Sequence, residues 1–230
     1  MMSKDEKGRR VDGAGCLADA CDSRANVYAI LSRCYEREID EETAAAIAGG
    51  KTVRFEDGSL ADAWSGMVNA MEPREGVDLI ENLAVDFDRV FFGMGPRSAK
   101  RAFPYESVYT SERGLMKQDA YAEVLHEFRS RGFAKAEGFH EPEDHLAVEL
   151  AYMEKLSRHA AVSLRGGDEE AAEAALMAQG EFAAVHLANW IDRFSVEAEQ
   201  AATEPFYRSL AVFTRLFIGA DRAFLDEVLE

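Results

Sequence analysis

From Ser23 to the C-terminus, apolar residues recur three and four positions apart, and no stretch alternates apolar with polar as a half-buried strand does. Val27, Ile30, Leu31, Cys34 and Tyr35 share one helical face, with Ser23 placed to cap it. A short helix over 41–48 stops at Gly49-Gly50, and Ser59 is placed to cap a third carrying Leu60, Trp64, Met67 and Val68. The run from Val77 to Phe92 is the most apolar and ends at Gly93, in the position of a left-handed cap. Further helices are predicted over 115–131, from Pro142 to about Arg165, over 169–194, over 204–218 and over 221–229, the last two divided at Gly219. The fold class is therefore all-α: one compact domain of seven to nine helices over residues 23–230.

Composition supports one well-filled body. The chain has 230 residues, 47% hydrophobic and 30% charged, enough to bury a substantial core. Residues 1–22 read as a polar, disordered extension. Arg9-Arg10 imitates an export signal, but Val11-Asp12-Gly13-Ala14-Gly15-Cys16 stands where the apolar core of such a signal belongs. The three cysteines, Cys16, Cys21 and Cys34, form no paired framework, which together with the lack of an export signal points to a reducing cytoplasm. No segment approaches the ~20 apolar residues of a membrane span. With 26 basic and 43 acidic side chains the net charge is −17, a field that repels nucleic acid and anionic lipid and favours cationic peptides.

Motifs of catalysis are missing: the sequence has no Walker loop, no G-x-S-x-G, no H-E-x-x-H and no C-x-x-C. His140, His145 and Glu149 are the nearest to a metal-ligand set, with His145 and Glu149 one turn apart on a helix. No cofactor is indicated. The other exceptional segment is the loop from Gly93 to Ser111, which has no helical period. Five aromatics fall between Phe91 and Tyr109, where average composition gives about two.

Three motifs in order carry a family resemblance. Phe103-Pro104-Tyr105-Glu106-Ser107-Val108-Tyr109 follows a Phe-Phe-Gly helix end, and Glu141-Pro142-Glu143-Asp144-His145-Leu146 opens the next long helix. His186-Leu187-Ala188-Asn189-Trp190 and Pro205-Phe206-Tyr207 complete the series. Over about residues 23–220 the chain resembles the TorD/DmsD family of cytoplasmic chaperones for molybdenum-containing redox enzymes. The resemblance implies an all-helical, non-catalytic protein. Its partners would be the twin-arginine signal peptide and the apo catalytic subunit of a molybdopterin oxidoreductase, held back from export while cofactor is inserted. It implies that Asp144 and His145 belong to the peptide site, with Tyr105, Ser107 and Tyr109 lining the adjacent groove. Glu141 and Glu143 join that site on charge alone.

A basic pair followed by an apolar stretch needs carboxylates and an apolar cleft, and the acidic helix opening and the aromatic loop are the sequence's candidates for each. Two other readings stand beside this one: a helical metalloenzyme using His140, His145 and Glu149, and an acidic helical adaptor for another basic partner. The sequence leaves open the client, nucleotide binding, and exchange of halves to form a homodimer across the long loop. It also leaves open the role of the basic segment Arg97-Ser98-Ala99-Lys100-Arg101, where the family commonly has apolar residues.

Overall fold

Helix α1 spans Lys4–Glu36 and is the longest element of the chain. The structure is a computed structural model that describes the backbone of residues 4–230 and the side chains from residue 13. The first three residues of the expected extension and the Arg9-Arg10 side chains therefore lie outside the described residues. The expected boundary after residue 22 falls inside α1. Ser23 caps nothing; its hydroxyl donates to the Asp19 carbonyl one turn back at 2.9 Å. Ala18 and Cys21 are completely buried, and Asp19 and Asp22 pair with Arg165 at 2.8 and 2.6 Å. Asp19 and Asp22 thus tie this part of α1 to Arg165 of a neighbouring helix.

Helices α2 (Glu41–Gly49), α3 (Gly58–Asn69) and α4 (Leu79–Phe91) follow. Each begins at an aspartate whose carboxylate accepts an otherwise unpaired N–H: Asp40 from Thr43, Asp57 from Leu60 and Asp78 from Glu81. The cap of α3 is thus Asp57, and Ser59 lies within the helix. Gly93 takes a left-handed φ of 71° after α4, and a Cβ there would come within 3.0 Å of the Phe103 ring, so both backbone and space require glycine.

The remaining helices are α5 (Glu106–Thr110), α6 (Asp119–Ser130), α7 (Leu146–Gly166), α8 (Glu169–Phe182), α9 (Ile191–Ala201) and α10 (Pro205–Leu229). Ten α-helices among the described residues exceed the expected range, because the aromatic loop contains α5 and the 169–194 segment is broken. A π-helical turn over Ala183–Leu187 makes that break. Conversely, Gly219 divides nothing. Helix α10 continues through it, because Asp221 on the far side is locked into the core.

Helix α1 packs along α7, α7 against α8, and α10 against α3 and α9. The Arg24 guanidinium of α1 forks onto the Asp221 carboxylate of α10 through Nε and Nη2, and Nη2 also donates to Gln179 of α8 at 2.7 Å. Tyr28 donates to the same carboxylate at 2.6 Å, so one buried network fixes three helices together. Edge-to-face aromatic contacts among Tyr35, Phe87, Phe91, Phe194 and Tyr207 fill the core beside α4 and α10. A second aromatic group, Phe128, Phe133, Tyr152 and Phe182, joins α6, α7 and α8. Asp86 of α4 accepts from the Thr203 and Glu204 N–H groups at 2.9 and 2.8 Å, satisfying the start of α10 ahead of Pro205. Among the described residues, no helix is long and apolar enough to cross a membrane.

Candidate functional site

The two motifs singled out from the sequence meet at one junction. Pro104 and Tyr105 run extended beside Asp144 and His145, with the Glu106 N–H donating to the Asp144 carbonyl at 2.9 Å. The Leu146 N–H returns the bond to the Pro104 carbonyl, also at 2.9 Å. Immediately afterwards the chain turns into α5. A helix of five residues is far too short to be stable alone, so its support has to come from its neighbours. Asp144 supplies it: one carboxylate oxygen accepts the Ser107 N–H at 3.0 Å. The Ser107 hydroxyl then accepts the Gln118 N–H at 3.1 Å, holding the entrance to α6.

The acidic helix opening has a different geometry from the one its sequence suggests. Pro142 sits in a turn ahead of α7, whose first residue is Leu146. The cap is His145, whose Nδ1 accepts the Ala147 N–H at 3.1 Å, leaving the ring proton on Nε2. Burial lowers the His145 pKa to about 3, so the ring is neutral at ordinary pH. It packs edge-on against Tyr105 and Phe139, with centroids 5.0 and 5.2 Å away. Asp144 is 0% exposed, and burial raises its pKa against the lowering effect of the Ser107 bond. Its carboxylate therefore serves α5 from within and does not face solvent, contrary to an anionic helix tip open to a ligand.

Glu141 and Glu143 are half-buried at the rim, and both already have partners. Glu141 accepts the Tyr105 hydroxyl at 2.6 Å, and Glu143 lies 3.3 Å from the Lys135 ammonium. Tyr109 donates to Glu197 at 3.1 Å, stacks on Trp190 at 5.4 Å, and has the Arg193 guanidinium over its outer face at 5.6 Å. The seven residues chosen from the sequence thus form one contiguous layer, most of them buried.

Below that layer is an acidic group that sequence reasoning missed in part. Glu106, 2% exposed, accepts from Asn189 at 2.8 Å and lies 3.0 Å from His186 Nδ1. The wide π-helical turn swings His186 inward, and the Trp190 indole N–H donates to the His186 carbonyl within the same turn. Glu149 is completely buried, and neither of its oxygens has a hydrogen-bond partner among the described residues. Burial first, then the charges of Glu106 and Asp144, drives its pKa well above the usual carboxylate range. The signal for Glu106 was present in the sequence as a lone acid inside an aromatic run, whereas nothing in the chain order points it at His186.

His140, His145 and Glu149 are not assembled as metal ligands: His140 is exposed, the other two are buried, and no ligand group of three forms among the described residues. Of the basic segment, Arg97 and Lys100 are exposed, with Lys100 donating to Gln200 of α9 at 2.9 Å. Arg101 bonds back to the Pro96 carbonyl at 3.3 Å. The arrangement as a whole is a rigid, mostly buried junction, with Glu141 and Glu143 half-buried at its rim.

Residues 56–196, from the approach to α3 to the middle of α9, match the family model described as the nitrate reductase delta subunit. A relative named chaperone protein TorD from Photobacterium profundum is 31% identical over 212 residues, covering 89% of this chain and 94% of its own length. A chaperone protein TorD from Vibrio cholerae is 29% identical over 219 residues, covering 91% and 94%. One from Shewanella pealeana is 25% identical over 226 residues, covering 90% and 91%. These matches take in the junction, the π-helical turn and nearly all of the helical body, and the chain belongs to the TorD family, whose members are chaperones and not enzymes.

Proposed function

We propose that this chain is a cytoplasmic chaperone that binds the twin-arginine leader of a molybdopterin-containing oxidoreductase and holds the apo catalytic subunit for cofactor insertion. The observation that carries the reading is the likeness to proteins named chaperone TorD along about nine-tenths of both chains. The physical chemistry is compatible with it. A net charge of −17 draws a basic leader in. Apolar burial at roughly 25 cal/mol per Å² then supplies affinity before entropic costs.

Within this reading the buried Tyr105 and Tyr109 brace the site from beneath, with Glu141 and Glu143 at the rim. Asp144, His145 and Ser107 act by positioning. They fix α5 against the start of α7, and with it the tyrosines. Exposed ion pairs contribute about 0–1 kcal/mol, so discrimination for arginine requires carboxylates that the bound leader partly shields from water.

Titration of the full chain with a fluorescent Arg-Arg leader peptide, and with the same peptide carrying Lys-Lys, tests the proposal by anisotropy. The expected result is saturable binding at least ten-fold tighter for Arg-Arg, because the guanidinium fork matches carboxylates that an ammonium meets as a point charge. Equal affinity for the two peptides would favour an acidic adaptor of low specificity over a leader-specific chaperone.

A further inference from the structure

An open groove of about 610 Å³ runs between α6 and the α8–π-turn segment, on the other side of His186 from Glu106. Its apolar lining is Ala122, Phe182 and Val185, and Val185 is 52% exposed although it is a large aliphatic side chain. The π-helical turn is responsible: its extra width sends His186 into the core and leaves the adjacent Val185 on the groove wall. Around this apolar strip stand Glu123, Glu127 and Glu181. One cation serves them. Arg131 pairs with Glu127 and reaches Glu181 only at 3.9 Å, while Glu123 pairs with no cation among the described residues. Three carboxylates against one guanidinium, beside exposed aliphatic surface, are complementary to a short peptide with two positive charges and an apolar side chain next to them.

We infer that this groove receives the arginine pair of the leader, with Glu123 and Glu181 as guanidinium acceptors and Val185 and Phe182 as the seat for the first apolar residue behind the pair. The inference rests on the leader-binding reading above and gives the arginines a site that Asp144, being buried, does not offer. Continuity with the junction follows from His186, which lines the groove and contacts Glu106 at the start of α5. Glu127 is left out of the acceptor pair because it already takes Arg131 and the Tyr152 hydroxyl, the latter at 2.9 Å.

The test uses the full chain and a fluorescein-labelled synthetic peptide with Arg-Arg ahead of an apolar run. Glu123→Lys combined with Glu181→Lys is expected to weaken binding at least ten-fold, and Val185→Asp alone about five-fold. All three positions are exposed, so the melting temperature should stay within about 2 °C of wild type, and circular dichroism confirms the fold. A control pair, Glu42→Lys with Glu56→Lys, changes the net charge equally at exposed sites elsewhere and should shift affinity by less than two-fold. Wild-type peptide binding that survives the groove substitutions would overturn the groove and leave leader recognition standing. An equal loss in the control pair would also overturn it, assigning the effect to bulk charge. No binding to the wild-type chain would remove the leader reading itself, and the groove assignment with it.

Discussion

Glu106→Ala is expected to lower the unfolding free energy by about 3–5 kcal/mol, because it removes the shared acceptor of two groups at a buried junction. In a chain of this size that corresponds to a fall in melting temperature of roughly 10 °C. His186 would lose its only side-chain partner among the described residues, and Asn189 its acceptor. The π-helical turn and α5 would then no longer be tied across the site. Glu106→Gln keeps an acceptor for Asn189 and should recover about half of the loss. Differential scanning calorimetry reads the stability, and hydrogen exchange over residues 105–110 reads the release of α5. A melting temperature unchanged by Glu106→Ala would show that the junction does not depend on this contact.

Glu149→Gln is expected to stabilise the chain, increasingly so as pH rises. The native pKa of Glu149 is held well above its ordinary value of 4.5 by burial, with Glu106 and Asp144 adding to the effect. Below pH 4.5 folded and unfolded states both carry the proton, and the group contributes no slope. Above 4.5 the unfolded chain releases the proton while the folded one keeps it, so stability falls by about 1.4 kcal/mol per pH unit until the native group ionises. His145 acts with the opposite sign. Its native pKa of about 3 lies below the ordinary 6.5, so its stabilising contribution is complete above 6.5 and is lost as pH falls toward 3. Between pH 4.5 and 6.5 the two slopes oppose each other for as long as the native Glu149 keeps its proton. Urea denaturation at pH 5 and pH 8 should give a larger advantage for the glutamine variant at pH 8. A constant difference would mean that Glu149 titrates normally.

The sequence pattern made the all-helical class and most helix spans legible because apolar spacing is a local signal. Residues 41–49 and the core of 77–92 needed no tertiary information. The errors arose where distant residues decide local structure. Helix α5 exists because Asp144, 37 positions away, accepts the Ser107 N–H, and short-range propensity contains no trace of that bond. Residues 13–22 looked too polar to be ordered, yet Arg165 supplies their charge partner from 143 to 146 positions away.

The candidate site was legible in a similarly divided way. The motif order correctly paired the loop of Tyr105 with the helix opening at His145. The resemblance also put Asp144 in a peptide site, a role that needs a carboxylate a ligand can reach. The burial of that carboxylate follows from the extended pairing of residues 104–106 with 144–146, a tertiary event. The π-helical turn was equally hidden, because Ala183–Leu187 has the composition of ordinary helix.

What stands to be decided is whether this chain recognises a client through the client's leader. Co-expression of the chain with the apo catalytic subunit of a candidate molybdopterin oxidoreductase client decides it. One subunit would be full length and one would lack its twin-arginine leader. A stable one-to-one complex is expected with the full-length subunit, and at least a ten-fold lower yield of complex without the leader. Equal recovery of the two subunits, or of neither, would contradict it.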